Sequence, residues 1–200
     1  MSRESSSNSS SHHQNWISEA PRPIVPTPAT MGGNLRGRRV VIGLPGHGWR
    51  GDCRADEKVV QGSRTYVPVI PESEWYRAEA EQVEVFAPLV PVERVWVEEF
   101  GMAGLTLQED DRSRLVSLDE PPRRSPTPAL DADHLTGRRV VEIEADGTER
   151  RDLRAVTEIH TSDDGHVCVR VCTELDWYRW QWTGRSPRTA EIPADRLWAE

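Results

Sequence analysis

A chain of 200 residues with 36% hydrophobic and 29% charged side chains, 14 glycines and 15 prolines has apolar material for one ordinary domain, or for two small ones set between unstructured stretches. A formal net charge of −8 argues against a general nucleic-acid coat, which needs clustered cations, and three cysteines (Cys53, Cys168, Cys172) are too few for a disulfide framework. No apolar run approaches the ~18 residues of a membrane span and no apolar stretch follows Met1, so the expected location is the cytoplasm, away from any membrane. Lys58 is the only lysine among the basic residues; this reads as the codon bias of a GC-rich genome, bacterial or that of a phage or plasmid, rather than as arginine chemistry.

In chain order, residues 1–33 are rich in Ser, Asn and Pro and read as a disordered tail, with Trp16-Ile17 as a short docking motif and His12-His13 as incidental. Residues 34–100 carry period-two alternation: strands are expected at Arg38 to Leu44, Arg50 to Val60, Thr65 to Ile70 and Trp75 to Val85, then a tight turn into a short last strand at Pro91 to Val97. Residues 101–133, with Pro121-Pro122 and Ser125-Pro126, read as a linker, and Leu105 to Leu118 as a short helix within it. Residues 134–200 repeat the strand pattern at Arg138 to Ala145, Glu149 to His160, His166 to Cys172, Trp177 to Thr183 and Pro193 to Ala199.

The two patterned segments are copies of one another. Leu35-Arg36-Gly37-Arg38-Arg39-Val40-Val41 returns as Leu135-Thr136-Gly137-Arg138-Arg139-Val140-Val141, and Arg50, Asp52, Arg54 and Ala55 return as Arg150, Asp152, Arg154 and Ala155. After a two-residue insertion near Ser162 to Gly165, Glu74-Trp75-Tyr76-Arg77 is answered by Asp176-Trp177-Tyr178-Arg179, and Arg94, Trp96 and Glu98 by Arg196, Trp198 and Glu200. So long a period with two copies means two domains, each with its own core, rather than a solenoid.

Five short antiparallel strands must curl to bury a core. The layout resembles the SH3-like small barrel, most clearly in Ile192-Pro193-Ala194-Asp195-Arg196-Leu197-Trp198, which is similar to the turn and last strand of that superfold. Val40 to Asp52, with Gly43, Gly46, Gly48 and Gly51, also resembles the KOW motif of ribosome- and RNA-polymerase-associated barrels, although the second copy has Ile143, Asp146, Thr148 and Arg151 at those places. The expectation is all-β: two tandem five-stranded SH3-like barrels, which implies binding without naming a ligand.

Alternation then sorts the faces. Tyr76, Ala78 and Ala80 are expected inward, as are Tyr178, Trp180 and Trp182, which turns Trp75 beside Arg77, and Trp177 beside Arg179, outward. Cys53 with Ala55, and Leu153 with Ala155, point inward, leaving Arg50, Asp52 and Arg54, and Arg150, Asp152 and Arg154, as outward stripes. Together these form a candidate aromatic and cationic binding platform, or else structural lids over a ladder of cross-strand ion pairs. Trp96 and Trp198 are expected as core or barrel-end plugs.

Cys168 and Cys172 lie four apart on a strand, about 13 Å, too far for one metal ion or a disulfide to bridge them with His160 or His166. No nucleophile or nucleotide-binding motif occurs, so neither catalysis nor a cofactor is expected. The functional expectation is a non-catalytic adaptor whose two diverged modules bind a protein partner. One alternative is a nucleic-acid-binding regulator using Arg38-Arg39, Arg138-Arg139 and Arg150-Arg151 on phosphates; another is a structural adaptor in a phage or mobile-element assembly.

Overall fold

The structure, a computed structural model, describes residues 19–102 and 120–200. Trp16-Ile17, His12-His13 and the expected helix from Leu105 to Leu118 lie outside the described residues.

Each repeat builds its own antiparallel sheet. The first contains β1 (Ile24–Pro28), β2 (Arg39–Leu44), β3 (Gly48–Ala55), β4 (Val59–Gln61), β5 (Arg64–Pro71), helix α1 (Glu72–Glu81), β6 (Leu89–Pro91), a 3₁₀ turn at Val92–Arg94 and β7 (Val95–Phe100). The second contains β8 (Thr127–Pro128), a 3₁₀ turn at Ala129–Asp131, β9 (Arg139–Ile143), β10 (Glu149–Ala155), β11 (His160–Thr161), β12 (Val167–Thr173), helix α2 (Glu174–Thr183), β13 (Ala190–Pro193), a 3₁₀ turn at Ala194–Arg196 and β14 (Leu197–Ala199).

Strand order is β7-β2-β3-β5-β6 in one domain and β14-β9-β10-β12-β13 in the other, so the last strand of each returns beside its first. The first, second, third and last strands expected from the sequence are β2, β3, β5 and β7, and β9, β10, β12 and β14; β4 and β11 are added beside β5 and β12, and β1 and β8 beside β7 and β14. The cores match position for position: Leu35, Val40, Cys53, Ala55, Val69 and Val97 in one, and Leu135, Val140, Leu153, Ala155, Val171 and Ala199 in the other.

Several expectations are corrected. Glu72–Glu81 and Glu174–Thr183 are helices, not fourth strands. The alternation of Tyr76, Ala78 and Ala80 imitates a strand, but the segment is rich in Ala and Glu, which favour helix. In the second copy Thr173 caps the start, its Oγ1 accepting from the Asp176 amide at 3.1 Å, and Gly184 ends the helix at φ +70°. The fourth barrel strand is instead the short β6 or β13. The expected long second strands break after Ala55 and Ala155, resuming as β4 and β11. The tail boundary at residue 33 also moves, because Ile24–Pro28 pairs with β7; likewise Thr127–Pro128, placed in the linker, pairs with β14.

Candidate functional site

The two domains meet through the same face of each copy. Arg39 and Arg54 of the first, and Arg139 and Arg154 of the second, lie on adjacent strands on the side opposite the core. Each helix adds a glutamate at its first position, where free backbone N–H groups favour a negative charge, and a tyrosine one turn further on. Glu72 and Glu174 are 1% exposed.

The groups interlock across the boundary. Glu174 accepts from Arg39, Arg54 and Arg139, each at 2.9 Å, and from the Tyr76 hydroxyl at 2.7 Å. Glu72 accepts from Arg139, from Arg154 at 3.5 Å and from the Tyr178 hydroxyl at 3.0 Å. Arg54 Nε lies 2.9 Å from Glu72 Oε1, close enough for charge attraction but not aligned as a hydrogen bond. At the rims, Asp52 meets Arg139 at 2.8 Å and Arg154 at 3.1 Å, while Glu200 meets Arg39 at 3.2 Å. Four guanidiniums therefore face four carboxylates, the condition for burying charge without stranding it.

Burial would push the Glu174 carboxyl up, but Arg39, Arg139, the Tyr76 hydroxyl and Arg54 together hold it below the ordinary carboxylate range. Burial, reinforced by the neighbouring glutamate, pushes the Tyr76 and Tyr178 phenols up.

The proposed platform is divided by this arrangement. Arg54, Arg154 and Asp52 enter the interdomain network. Arg50 stays exposed, and Arg150 pairs with Asp152 at 3.1 Å on the surface. Trp75 and Trp177 are half-buried and lie over Gly37 and Gly137. On a helix, residues two apart diverge, so Arg77 turns to Glu81 at 3.1 Å and Arg179 to Asp176 at 3.2 Å, not to the tryptophans. Tyr76 and Tyr178, expected in the barrel core, cover the domain boundary instead. The arginines suited to phosphates are also occupied: Arg38 pairs with Glu99, Arg138 donates to the Glu200 carbonyl, and Arg151 pairs with Glu149 and Glu200.

Outside the network, the domains differ at one groove. In the first, the Gly-rich β2–β3 turn and the 3₁₀ turn at Val92–Arg94 enclose 420 Å³ lined by Gly43, Pro45, Trp49, Glu93, Arg94 and Trp96. Trp49 and Trp96 meet edge to face, ring centroids 6.4 Å apart. Trp96 is thus a partly buried groove wall and not a core plug, and Trp198 is likewise only partly buried. Gly43 makes this possible: a Cβ there would stand 3.0 Å from the Trp49 ring. The Trp49 Nε1–H is buried with no acceptor among the described residues.

The second domain fills the corresponding place differently. Ile143 stands for Gly43 and Glu149 for Trp49. Arg196, the counterpart of Arg94, bonds to Glu142 at 2.8 Å and reaches the Ile143 carbonyl. Glu149 accepts from the Arg22 backbone N–H at 2.7 Å and side chain at 3.0 Å, fastening the segment before β1 onto the second domain.

No family model matches this chain, and no curated protein or solved structure is significantly similar to it. No helix among the described residues is long and apolar enough to cross a membrane.

Proposed function

We propose that the protein is a non-catalytic adaptor in which the first domain binds an extended segment of a protein partner in the Trp49–Trp96 groove, while the second domain braces it. The single observation behind this reading is the difference between the copies at that groove. The first keeps two indoles at right angles beside small Gly43; the second keeps only Trp198, with Ile143 and Glu149 in place of Gly43 and Trp49. Aromatic walls of this kind suit a peptide, whose side chains fill the groove. The charge network supports the bracing role, because it holds the two domains in one geometry.

Selection of displayed peptides on the full chain tests this. Recovered peptides are expected to lose at least about tenfold in affinity to Trp49→Ala and Trp96→Ala, and little to Trp177→Ala. Failure to recover any peptide, or equal binding to all these variants, overturns the reading. Salt-sensitive retention of DNA or RNA would favour the nucleic-acid alternative instead.

A further inference from the structure

The second domain carries a constellation that the first lacks. His160 on β11 and Cys168 on β12 are direct cross-strand partners, and Glu191 on β13 approaches from the other side of β12. Val169 and Val171 of β12 belong to the core, so the alternating Cys168 and Arg170 stand on the outer face of the sheet. His160 Nε2 lies 3.5 Å from Cys168 Sγ and 3.4 Å from Glu191 Oε1, and the three donor atoms all fall within 4.8 Å of one another.

The register of the first domain gives the comparison. Val59 pairs with Tyr66 where His160 pairs with Cys168, and Pro68 pairs with Leu89 where Arg170 pairs with Glu191. Three strands that bring together Val, Tyr and Leu in one copy therefore bring together His, Cys and Glu in the other. The fold itself does not require these groups.

Hydrogen bonding orients the donors inward. His160 Nδ1 lies 3.2 Å from the Glu158 carbonyl oxygen, which can only accept, and 3.3 Å from Thr157 Oγ1; these contacts hold the ring with Nε2 turned toward Cys168 and Glu191. Nε2 faces a carboxylate oxygen of Glu191, a contact that an imidazolium N–H or a shared cation makes favourable. Arg170 Nε donates to Glu191 at 3.0 Å and fixes the carboxylate, as outer-shell partners of metal ligands do.

From this geometry we propose that His160, Cys168 and Glu191 bind one divalent zinc ion. Tetrahedral zinc with ordinary bond lengths of ~2.3 Å to sulfur and ~2.0–2.2 Å to nitrogen and oxygen sets its ligand atoms about 3.6 Å apart for S···N and about 3.4 Å for N···O. The two separations that involve His160 already match. One nitrogen, one thiolate and one carboxylate form a mixed donor set suited to Zn²⁺, and magnesium or calcium would favour oxygen ligands. Cys168 is buried, while His160 and Glu191 are 29% and 41% exposed, so the fourth position opens to solvent and takes water. The thiol loses its proton to bulk on binding, and the ion ties β11, β12 and β13 together.

Cobalt substitution in the chelator-treated full chain tests the site. One Co²⁺ per chain is expected to bind with a thiolate-to-cobalt charge-transfer band, and Zn²⁺ is expected to displace it and raise the thermal midpoint. Cys168→Ser should abolish the band, whereas Cys53→Ser and Cys172→Ser should keep it. His160→Ala and Glu191→Gln, which leave the thiol in place, should each weaken binding by at least about tenfold, and they carry the test if Cys168→Ser fails to fold. Absence of the band in the wild-type chain, its survival in Cys168→Ser, or full affinity in both other variants overturns the proposal.

Discussion

Tyr76 and Tyr178 stack across the domain boundary with ring centroids 5.4 Å apart and planes inclined by 21°, and each hydroxyl donates to the first helical glutamate of the opposite domain. The two rings mark a local two-fold axis that exchanges Arg39 with Arg139, Arg54 with Arg154 and Glu72 with Glu174. In a symmetric contact, every residue one copy gives is also one the other needs. This explains why charged groups on the side opposite the core recur in both repeats. Away from the axis the symmetry lapses: Asp52 meets the opposite domain's arginines while Asp152 turns to Arg150 on the surface.

Removing one central carboxylate should be severe. Glu72→Gln or Glu174→Gln leaves guanidiniums buried without their counter-charge, a change that costs about 3–5 kcal/mol. Glu74→Gln on the same helix removes only an exposed contact with Arg77 at 3.9 Å and should cost less than about 1 kcal/mol. Urea unfolding of the three variants checks this, and a cost at Glu174 no larger than that at Glu74 would show that the network is not buried as described.

Stability should fall at both ends of the pH scale. Glu174 is held below its usual value of 4.5, so its contribution is present above that pH and is lost as pH falls through the folded-state value. Tyr76 and Tyr178 are raised above the usual value of 10.0, so their contribution is present below pH 10.0 and is lost as pH rises beyond it. Urea midpoints measured across pH should show both limbs. Glu174→Gln should flatten the acid limb, and Tyr76→Phe with Tyr178→Phe the alkaline one.

The duplication, the two β-rich domains and four of the five strands in each were legible because alternation and repeat spacing act locally, and because a duplicated core repeats its apolar positions. The helices were missed because Tyr76, Ala78 and Ala80 satisfy a strand pattern by coincidence, while the Thr173 cap and Gly184 stop signal appear in one copy only. The network was half legible. Arg54 and Arg154 stood out as repeated charges facing away from the core, but Glu72 and Glu174 were passed over although they occupy equivalent places before the repeated Trp-Tyr-Arg. What no single-chain pattern discloses is that an outward face of one barrel is buried by the other. The cluster of His160, Cys168 and Glu191 is legible only in part: His160 and Cys168 stand out in the sequence, but the Cys168–Cys172 spacing argues against one shared ion, and Glu191 enters from a third strand.

Gly43 offers a probe of the groove that spares the core. Gly43→Ala places a methyl 3.0 Å from the Trp49 ring and must displace it, so the near-ultraviolet circular dichroism of the tryptophans should change while overpacking costs no more than about 1–3 kcal/mol. Gly51→Ala meets nothing within 4 Å and should leave the spectrum unaltered. An unchanged spectrum in Gly43→Ala would mean that Trp49 does not rest against this strand.

The thiols should be inert in the folded chain. Burial raises Cys53, and burial together with Asp176 pushes Cys172 up to about 11, so at pH 8 neither presents an appreciable thiolate. Both are free and buried. An aqueous aromatic disulfide added at pH 8 should therefore label Cys53 and Cys172 only as fast as the chain opens, and promptly in denaturant. Mass spectrometry of the labelled peptides assigns each site. Because Cys53 belongs to the core of one domain and Cys172 lies beside the first turn of α2 in the other, their labelling rates report the opening of each domain separately. The interdomain network should couple those rates. In Glu174→Gln both should rise together, and a rise confined to Cys172 would mean that the domains open independently.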